Sequence, residues 1–133
     1  MIVIVAVDGS GQTHKIKRAT FDYVPDAQLH FVHVAESYIY PSMVSDGVVV
    51  DLAAIRESQR AAVWDAVGSL PPDARKVDLE GPVAESIVGY AREVEAELIV
   101  IGSRGRGALG SLVLGSVSMG VIHSSECNVL VVK

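Results

Sequence analysis

Leu98-Ile99-Val100-Ile101-Gly102-Ser103-Arg104-Gly105 is the stretch that decides the fold, because a strand-like apolar run leads directly into a glycine-rich loop. The four apolar residues predict a strand that is covered on both faces, as in parallel sheets. Nine residues after Gly105, the pair Gly115-Ser116 opens an apolar stretch that predicts a helix over 117–124. A glycine-rich loop between a strand and a helix N-terminus is typical of phosphate sites, because the first helical amides lack intrahelical partners.

Outward from this stretch, apolar runs alternate with helical stripes along the whole chain. Strands are predicted at 2–7, 29–34, 76–80, 98–101 and 128–132, and helices at 16–23, 52–70, 83–94 and 117–124. Ser10 is the expected N-cap of the first helix. The polar third strand is expected near a sheet edge, and residues 35–50 show no period and predict a long loop. Strands that alternate with helices predict an α/β fold, with a mostly parallel sheet covered on both faces.

Composition narrows the class of protein. With 133 residues, half of them apolar, the chain is expected to form a single domain over 1–133 with a substantial core. A formal charge of −5 argues against a nucleic-acid partner. The apolar runs are far shorter than the roughly 20 residues that cross a bilayer, so no membrane association is expected. The lone Cys127 and a start without a basic region predict a cytoplasmic protein.

In a doubly wound sheet, ligands bind beyond the carboxyl ends of the strands, where the strand order reverses. Asp8 follows the first strand and Gly102 ends the fourth, so both are expected at such an end. Asp8 is a candidate partner for a ribose, a base or a phosphate-bound metal. The alternative is that it forms the turn before Gly9, as aspartates commonly do.

The glycine-rich loop also has two interpretations. In the first, Gly102 and Gly105 let the backbone approach an anion, and the amides of Gly115, Ser116 and Val117 donate to it together with the Ser116 hydroxyl. In the second, the glycines only make packing contacts in a surface loop. Two further residues, Arg104 and Arg106, either pair with phosphate oxygens or remain solvated. The strand before the loop and the helix after it favour the phosphate site.

Other patterns carry less functional information. The match of 105–110 to G-x-G-x-x-G is weak, because it lies late in the chain and its helix begins later. His30 and His33 are three apart on one strand and therefore point to opposite faces, which favours structural roles over a shared metal site. Cys127 is expected to be a packed thiol. No nucleophile elbow or Walker lysine occurs, so the sequence predicts no catalytic residue.

The chain resembles the universal stress protein family nearly from end to end. Gly102, Gly105, Gly115 and Ser116 fill the spacing G-x2-G-x9-G-[S/T] that marks the nucleotide-binding branch of the family. The other matching segments are Val7-Asp8-Gly9-Ser10, His33-Val34, Gly81-Pro82-Val83-Ala84-Glu85-Ser86-Ile87, Leu98 to Gly107, Leu114 to Ser118 and Cys127 to Val132.

This resemblance implies a three-layer α/β/α fold of the adenine nucleotide alpha hydrolase-like type. Its parallel sheet would have five strands in the order 3-2-1-4-5, with ATP (or AMP or ADP) between strands 1 and 4. Mg²⁺ or Mn²⁺ would be held by the phosphates rather than by a protein metal site. The implied function is a nucleotide-dependent stress-response module with little or no hydrolysis. The alternatives are an interaction module that binds no nucleotide, and a slow ATPase.

The resemblance also implies which residues contact the nucleotide. Asp8 would lie at the nucleoside, the backbone of Val34 at the adenine edge, and Ala6 and Ile101 along the base or ribose pocket. Loop amides and Ser116 would hold the phosphates. The full expected set is Ala6, Val7, Asp8, Gly9, Ser10, Val34, Ile101, Gly102, Ser103, Arg104, Gly105, Gly115, Ser116, Val117 and Ser118.

Family members typically pair as homodimers through the last strand, which is Asn128 to Val132 in this chain. Pairing removes the unpaired groups of an edge strand, which gives the dimer a physical motive. Two departures from the family pattern stand out. Asn128 occupies a position where the family usually has proline, and the first helix is shorter than usual.

Overall fold

The computed structural model describes residues 1–36, 51–104 and 114–133, together with the backbone but not the side chain of Leu52. Most of the loop expected at 35–50 lies outside the described residues. The same is true of 105–113, which contains Gly105, Arg106 and the G-x-G-x-x-G match.

Strands and helices alternate along the described chain. Their bounds are β1 (Ile2–Ala6), α1 (Thr13–Tyr23), β2 (Gln28–Ala35), α2 (Leu52–Val67), β3 (Arg75–Glu80), α3 (Val83–Glu93), β4 (Leu98–Gly102), α4 (Ser116–Ser124) and β5 (Asn128–Val132). All four strand pairings are parallel, and the sheet has the order β3-β2-β1-β4-β5. The five-stranded parallel sheet that the resemblance implies is therefore confirmed, and the polar β3 lies at an edge as its composition predicts.

The two faces of the sheet carry separate hydrophobic clusters, because side chains alternate along each strand. On one face, Val5 of β1 packs with Ile16 of α1 and Val63 of α2. On the other face, the neighbouring Ile4 packs with Ile87 of α3 and Val121 of α4. Helices cover both faces, which gives three layers. The strand order reverses between β1 and β4, because β2 follows β1 on one side and β5 follows β4 on the other. The connecting helices α1 and α4 accordingly lie on opposite faces.

Two helix boundaries differ by more than one residue from those that the sequence predicts, the start of α1 and the end of α2. Ser10 is not the N-cap of α1, which is Gln12. Instead, the Ser10 hydroxyl accepts from the Gln12 amide at 3.3 Å, inside the preceding turn. The second helix, α2, ends at Val67, where the C-cap Gly68 has φ of 71°, and Leu70 packs against the core from the following loop. Its apolar signal therefore reports burial rather than helix.

Lys17 holds the end of α2 against α1. Its ammonium donates to the carbonyl of Val67 at 2.7 Å and to that of Ser69 at 2.9 Å. The last carbonyls of a helix lack intrahelical partners, and a cation there also complements the helix dipole. This bond links the two helices that cover one face of the sheet.

The two histidines of β2 lie on opposite faces, as their spacing predicts. His30 is 1% exposed, faces α3, and its Nδ1 is 2.9 Å from the Tyr90 hydroxyl. Burial lowers the pKa of His30, and the nearby Arg75 lowers it further. Burial also raises the pKa of Tyr90; Arg75 opposes this shift and Glu93 adds to it. Both rings are therefore neutral at pH 7.

On the opposite face, His33 belongs to a polar group that joins α2 to β3. Its Nδ1 lies 3.3 Å from Asp78 Oδ1. The indole nitrogen of Trp64 donates to both oxygens of the same carboxylate, at 3.0 and 3.1 Å. The Lys76 ammonium lies 5.6 Å from the centre of the indole ring. These contacts account for both His33 and Trp64 as structural residues.

Within the parts of the chain that the structure describes, no helix combines the length and apolar character needed to cross a bilayer. Cys127 is half-buried before β5, with its sulfur 3.4 Å from the Ser125 hydroxyl. This environment agrees with the packed thiol that the sequence predicts.

Candidate functional site

The carboxyl ends of β1 and β4 lie side by side at the point where the strand order reverses, which is where doubly wound folds have their ligand-binding crevice. These strands are neighbours, with Val3, Ile4 and Val5 in register with Leu98, Ile99 and Val100. After β1 the chain passes to α1 on one face, and after β4 it passes to α4 on the other. In doubly wound folds, ligands bind where the chain diverges in this way.

The turn after β1 is held by a backbone bond to β2 and by the Asp8 side chain. The Val7 amide donates to the Val32 carbonyl at 2.9 Å, which extends the β1–β2 pairing by one residue. Asp8 Oδ1 accepts from the Ser10 amide at 2.9 Å. Between them, Gly9 has φ of 74°, a conformation that residues with a side chain rarely adopt. Asp8 therefore forms the turn that one interpretation of the sequence anticipates, with one carboxylate oxygen engaged.

The start of α1 carries two polar atoms that sequence reasoning missed. Gln12 Oε1 and Thr13 Oγ1 are both buried, and neither has a hydrogen-bond partner among the described residues. A buried polar atom without a partner costs free energy, so such atoms point to a missing water or ligand. Neither residue belongs to a spacing motif, and only the burial of both side-chain oxygens reveals them.

Gly102 ends β4 directly beneath α1. A Cβ atom there would lie 3.1 Å from Ile16 Cδ1, 3.3 Å from the Arg104 carbonyl oxygen and 3.7 Å from Gln12 Cβ. The glycine is therefore needed for the close approach of α1 to β4. The packing role that the sequence left open for this glycine is what the structure shows.

The two ends of the glycine-rich loop are joined by two hydrogen bonds. The Gly115 amide donates to the Ser103 carbonyl at 2.8 Å. The Ser118 hydroxyl, which is buried, donates to the Gly102 carbonyl at 2.7 Å. The Gly115 amide, which the sequence expectation assigns to a phosphate, therefore already has an acceptor in this structure, and its role toward a phosphate stays a prediction. Ser118 likewise directs its only hydroxyl proton into the protein.

The first turn of α4 has two backbone amides without an acceptor among the described residues. The N-cap is Gly115, whose backbone is extended. Because glycine has no side chain, the N-cap residue itself supplies no side-chain acceptor for the first amides of the helix. Among the described residues, the amides of Ser116 and Val117 have no acceptor. Ser116 is exposed, and the first turn contains no acidic residue that would repel an anion. This helix end can hold an anion through unpartnered amides at the positive end of its dipole.

Three apolar residues of the expected pocket share one face of the sheet. Ala6 and Ile101 are buried in the cluster under α3 and α4, and Val34 packs against that cluster. Val7 points to the other face, into the cluster under α1 and α2. Arg104 follows β4 and is half-buried. Gly105 lies outside the described residues, so its expected role stays a prediction.

In the described ranges 1–36, 51–104 and 114–133, no group of three or more His, Cys, Asp or Glu side chains is arranged so that it could hold a metal ion. Residues 102–118 contain no lysine, histidine, aspartate or glutamate. Groups of these types transfer protons or position the phosphates in phosphoryl-transfer enzymes. The loop can therefore offer an anion hydrogen bonds and arginine charge.

Comparison with known proteins identifies the family. The sequence model of the Universal stress protein family matches residues 1–133. A universal stress protein of Thermus aquaticus is 33% identical, over 98% of this chain and 97% of that protein. Universal stress protein YxiE of Bacillus subtilis is 31% identical, over 98% and 97%. The crystal structure of a universal stress protein in complex with cAMP is 25% identical, covers 100% of this chain and 96% of that one, and has a TM-score of 0.60. This chain belongs to the universal stress protein family.

Proposed function

We propose that this protein binds an adenine nucleotide in the crevice between β1 and β4 and acts as a nucleotide-dependent stress-response module. The observation that carries the proposal is the first turn of α4, whose Ser116 and Val117 amides have no acceptor in the described structure. These amides hold the phosphates. The nucleoside lies toward Asp8 and the apolar wall of Ala6, Val34 and Ile101.

Two further observations support an adenine nucleotide as the ligand. The glycine spacing of the nucleotide-binding branch is intact from Gly102 to Ser116. A family member with 25% identity over this whole chain has been crystallised in complex with cAMP. We take ATP as the first ligand to test, with ADP, AMP and cAMP beside it, because glycine spacing does not encode the number of phosphates. Any Mg²⁺ or Mn²⁺ takes its ligands mainly from those phosphates.

Hydrolysis of the nucleotide is slow or absent in this proposal. Efficient phosphoryl transfer needs positioned charge and an oriented nucleophile. The segment 102–118, which surrounds the phosphates, has arginines but no lysine and no general base. The bound nucleotide therefore acts by its presence in the crevice and not by being hydrolysed. Substantial ATP turnover by pure protein that is lost in Asp8→Ala would instead make the protein an ATPase.

The amide contact can be tested by replacing one residue in two ways. Ser116→Pro removes both the amide proton and the hydroxyl, whereas Ser116→Ala removes the hydroxyl alone. Proline is favoured at the first position of a helix, and the φ of −65° and ψ of 161° at Gly115 suit a residue before proline. Both variants are therefore expected to fold.

The measurement is thermal unfolding with increasing ATP and Mg²⁺. ATP at about 1,000 times its dissociation constant stabilises the unaltered protein by about 4 kcal/mol. Ser116→Ala keeps most of this shift and Ser116→Pro loses most of it. An unaltered protein whose midpoint does not move with any of the four nucleotides would count decisively against the proposal. Equal shifts in both variants would refute the role of the amide.

We also propose that two copies of the chain pair through β5. This strand lies at the edge of the sheet and hydrogen-bonds only to β4 among the described strands. Its sequence Asn-Val-Leu-Val-Val is apolar after Asn128, and apolar edge strands are prone to pair with another chain. Leu130→Lys should yield monomers in sedimentation or scattering measurements. A monomeric unaltered protein at micromolar concentration would contradict this assembly.

A further inference from the structure

The residues on either side of the glycine-rich loop meet at the carboxyl end of β4. The Gly102 and Ser103 carbonyls at the end of β4 accept, respectively, from the Ser118 hydroxyl at 2.7 Å and the Gly115 amide at 2.8 Å. The Ser103 amide in turn donates to the Val132 carbonyl at 2.8 Å, which ties the same point to β5. The N-terminus of α4 is therefore attached to the sheet by bonds that need no ligand.

Ser116 and Ser118 have opposite environments although both lie in the first turn of α4. Ser116 is exposed, and its amide has no acceptor in the described structure. Ser118 is 3% exposed and its hydroxyl proton is donated to Gly102. A serine hydroxyl carries one proton, so Ser118 cannot donate to a phosphate while it keeps this bond. The structure gives it a different task from that of its neighbour.

We propose that Ser118 is a positioning residue for phosphate binding: its hydroxyl holds the first turn of α4 against the end of β4, so that the Ser116 and Val117 amides stay directed at the crevice. This inference rests on the proposed nucleotide-binding function. It reassigns Ser118 from the set of direct nucleotide contacts to the support behind them. Preorganised donors bind more tightly because no ordering cost is paid when the ligand arrives.

The bond has an energetic consequence when it is removed. Ser118→Ala leaves the Gly102 carbonyl without its buried donor, and unsatisfied buried groups are costly. The turn can relieve this cost by moving away from β4, which misdirects the amides. We expect the affinity for ATP to fall about tenfold, because a bond of this kind corresponds to roughly one power of ten in an equilibrium constant. The affinity for adenosine, which has no phosphate, stays within about twofold.

The experiment compares three variants of the full-length protein. Ser118→Ala removes the hydroxyl, Ser118→Thr restores one at the same position, and Ser124→Ala removes an exposed hydroxyl from the other end of α4. Calorimetry measures ATP and adenosine binding for each. Hydrogen exchange of the nucleotide-free proteins follows the Gly115 amide, bonded to Ser103, and the Met119 amide, bonded to the Gly115 carbonyl at 3.0 Å.

The expected pattern is specific. In Ser118→Ala, ATP binding weakens, adenosine binding does not, and the Gly115 and Met119 amides exchange faster. Ser118→Thr recovers most of the ATP affinity, and Ser124→Ala resembles the unaltered protein. Equal weakening of ATP and adenosine would make Ser118 a merely structural residue and overturn the inference. So would weakened ATP binding with unchanged exchange, because Ser118 would then contact the phosphate directly.

The two proposals fail in distinguishable ways. If the unaltered protein binds no nucleotide, the proposed function and this inference both fall. If it binds ATP and Ser118→Ala binds ATP equally well, the nucleotide site stands and the positioning role of Ser118 is refuted. If Ser118→Ala does not fold, Ser118→Thr decides the question by whether it retains both the slow exchange of Gly115 and the preference for phosphate.

Discussion

The carboxyl and amino ends of the sheet differ in how they treat polar groups. At the amino end, the Gln28 amide donates to the Met1 carbonyl and the Glu97 amide to the Ile2 carbonyl, so the ladder continues past the strands. Close by, His30 and Tyr90 are paired beneath α3. At the carboxyl end, α4 begins with amides that have no described acceptor. Backbone bonds such as that from the Ser103 amide to the Val132 carbonyl also extend the ladder at the carboxyl end. The difference is that the atom without a described partner at the amino end, His30 Nε2, is buried, whereas Ser116 at the carboxyl end is exposed, so changes at the two ends should have separable effects.

The largest effect is expected at Gly102, because this residue packs against α1 and also lies at the end of β4 where the nucleotide is proposed to bind. Gly102→Val places a side chain against Ile16 and the Arg104 carbonyl, and overpacking of this kind costs about 1–3 kcal/mol. Because α1 must move, nucleotide binding should be lost as well. Denaturant unfolding and ATP titration measure the two effects. Gly89→Ala is the control: its new Cβ meets nothing within 4 Å in α3, so it should stabilise by about 0.5–1 kcal/mol. Unchanged stability of Gly102→Val would contradict the close contact of α1.

The amino end should make stability depend on pH. The unfolded chain binds a proton at His30 near pH 6.5, whereas the folded chain resists it because of burial and Arg75. The free energy of unfolding therefore falls as pH drops below 6.5, by up to about 1.4 kcal/mol per pH unit, and has no contribution from His30 above it. Two ionisable residues of α3 belong to the same surroundings: Tyr90, which pairs with His30, and Glu93, whose charge acts on Tyr90.

Denaturant unfolding between pH 5 and 8 tests this dependence with two leucine variants. His30→Leu should lose the slope, whereas His14→Leu, at an exposed position of α1, should keep it. A slope that survives in His30→Leu would assign the acid sensitivity to other groups. Nucleotide affinity at pH 7.5 should be the same in His30→Leu as in the unaltered protein, since the pair lies away from the crevice.

Tyr90→Phe is a smaller perturbation of the same end. It removes the hydroxyl partner of His30 Nδ1 and leaves a second ring nitrogen without a described partner. We expect a loss of about 1 kcal/mol in the free energy of unfolding and no change in ATP affinity. Tyr23→Phe, at a residue that is 72% exposed, should change neither quantity. Weaker ATP binding in Tyr90→Phe would show that the two ends are coupled.

The smallest stability effect at either end is expected for the conservative substitution of Asp8. Asp8→Asn keeps an oxygen that can accept from the Ser10 amide, so the free energy of unfolding should change by less than about 0.5 kcal/mol. Asp8→Ala loses the bond and should cost about 1 kcal/mol. If the carboxylate also contacts the nucleoside, both variants bind ATP several-fold more weakly. Full affinity in both would restrict Asp8 to the turn, and calorimetry distinguishes these outcomes.

The layered fold could be predicted from the sequence to a large extent. Continuous apolar runs identified the buried strands, and the polar pattern of β3 identified an edge. The order of strands needed the family resemblance, because periodicity does not say which strands are neighbours. Local signals were less dependable at boundaries: Ser10 suits an N-cap but serves the turn before it, and Leu70 is apolar because it is buried outside the helix.

The candidate site was predicted in outline, but its internal bonds were not. The loop spacing located the α4 N-terminus, yet it gave no indication that Ser103 uses the Gly115 amide or that Ser118 bonds to Gly102. These bonds join residues far apart in the chain, so no periodic pattern reports them. The unpartnered oxygens of Gln12 and Thr13 were missed for a related reason. Burial of a polar atom depends on the assembled fold.

Trp64 is the only tryptophan of the chain, and its indole is fixed between the Asp78 carboxylate and the Lys76 ammonium. Fluorescence excited at the red edge of the absorption band thus originates from one position, where α2 meets β3. The proposed adenine contact, Val34, lies on β2 in register with Leu79 of β3, so a base that quenches or shifts this emission acts across a neighbouring strand. The chain therefore contains its own optical probe of nucleotide binding, and no label has to be attached.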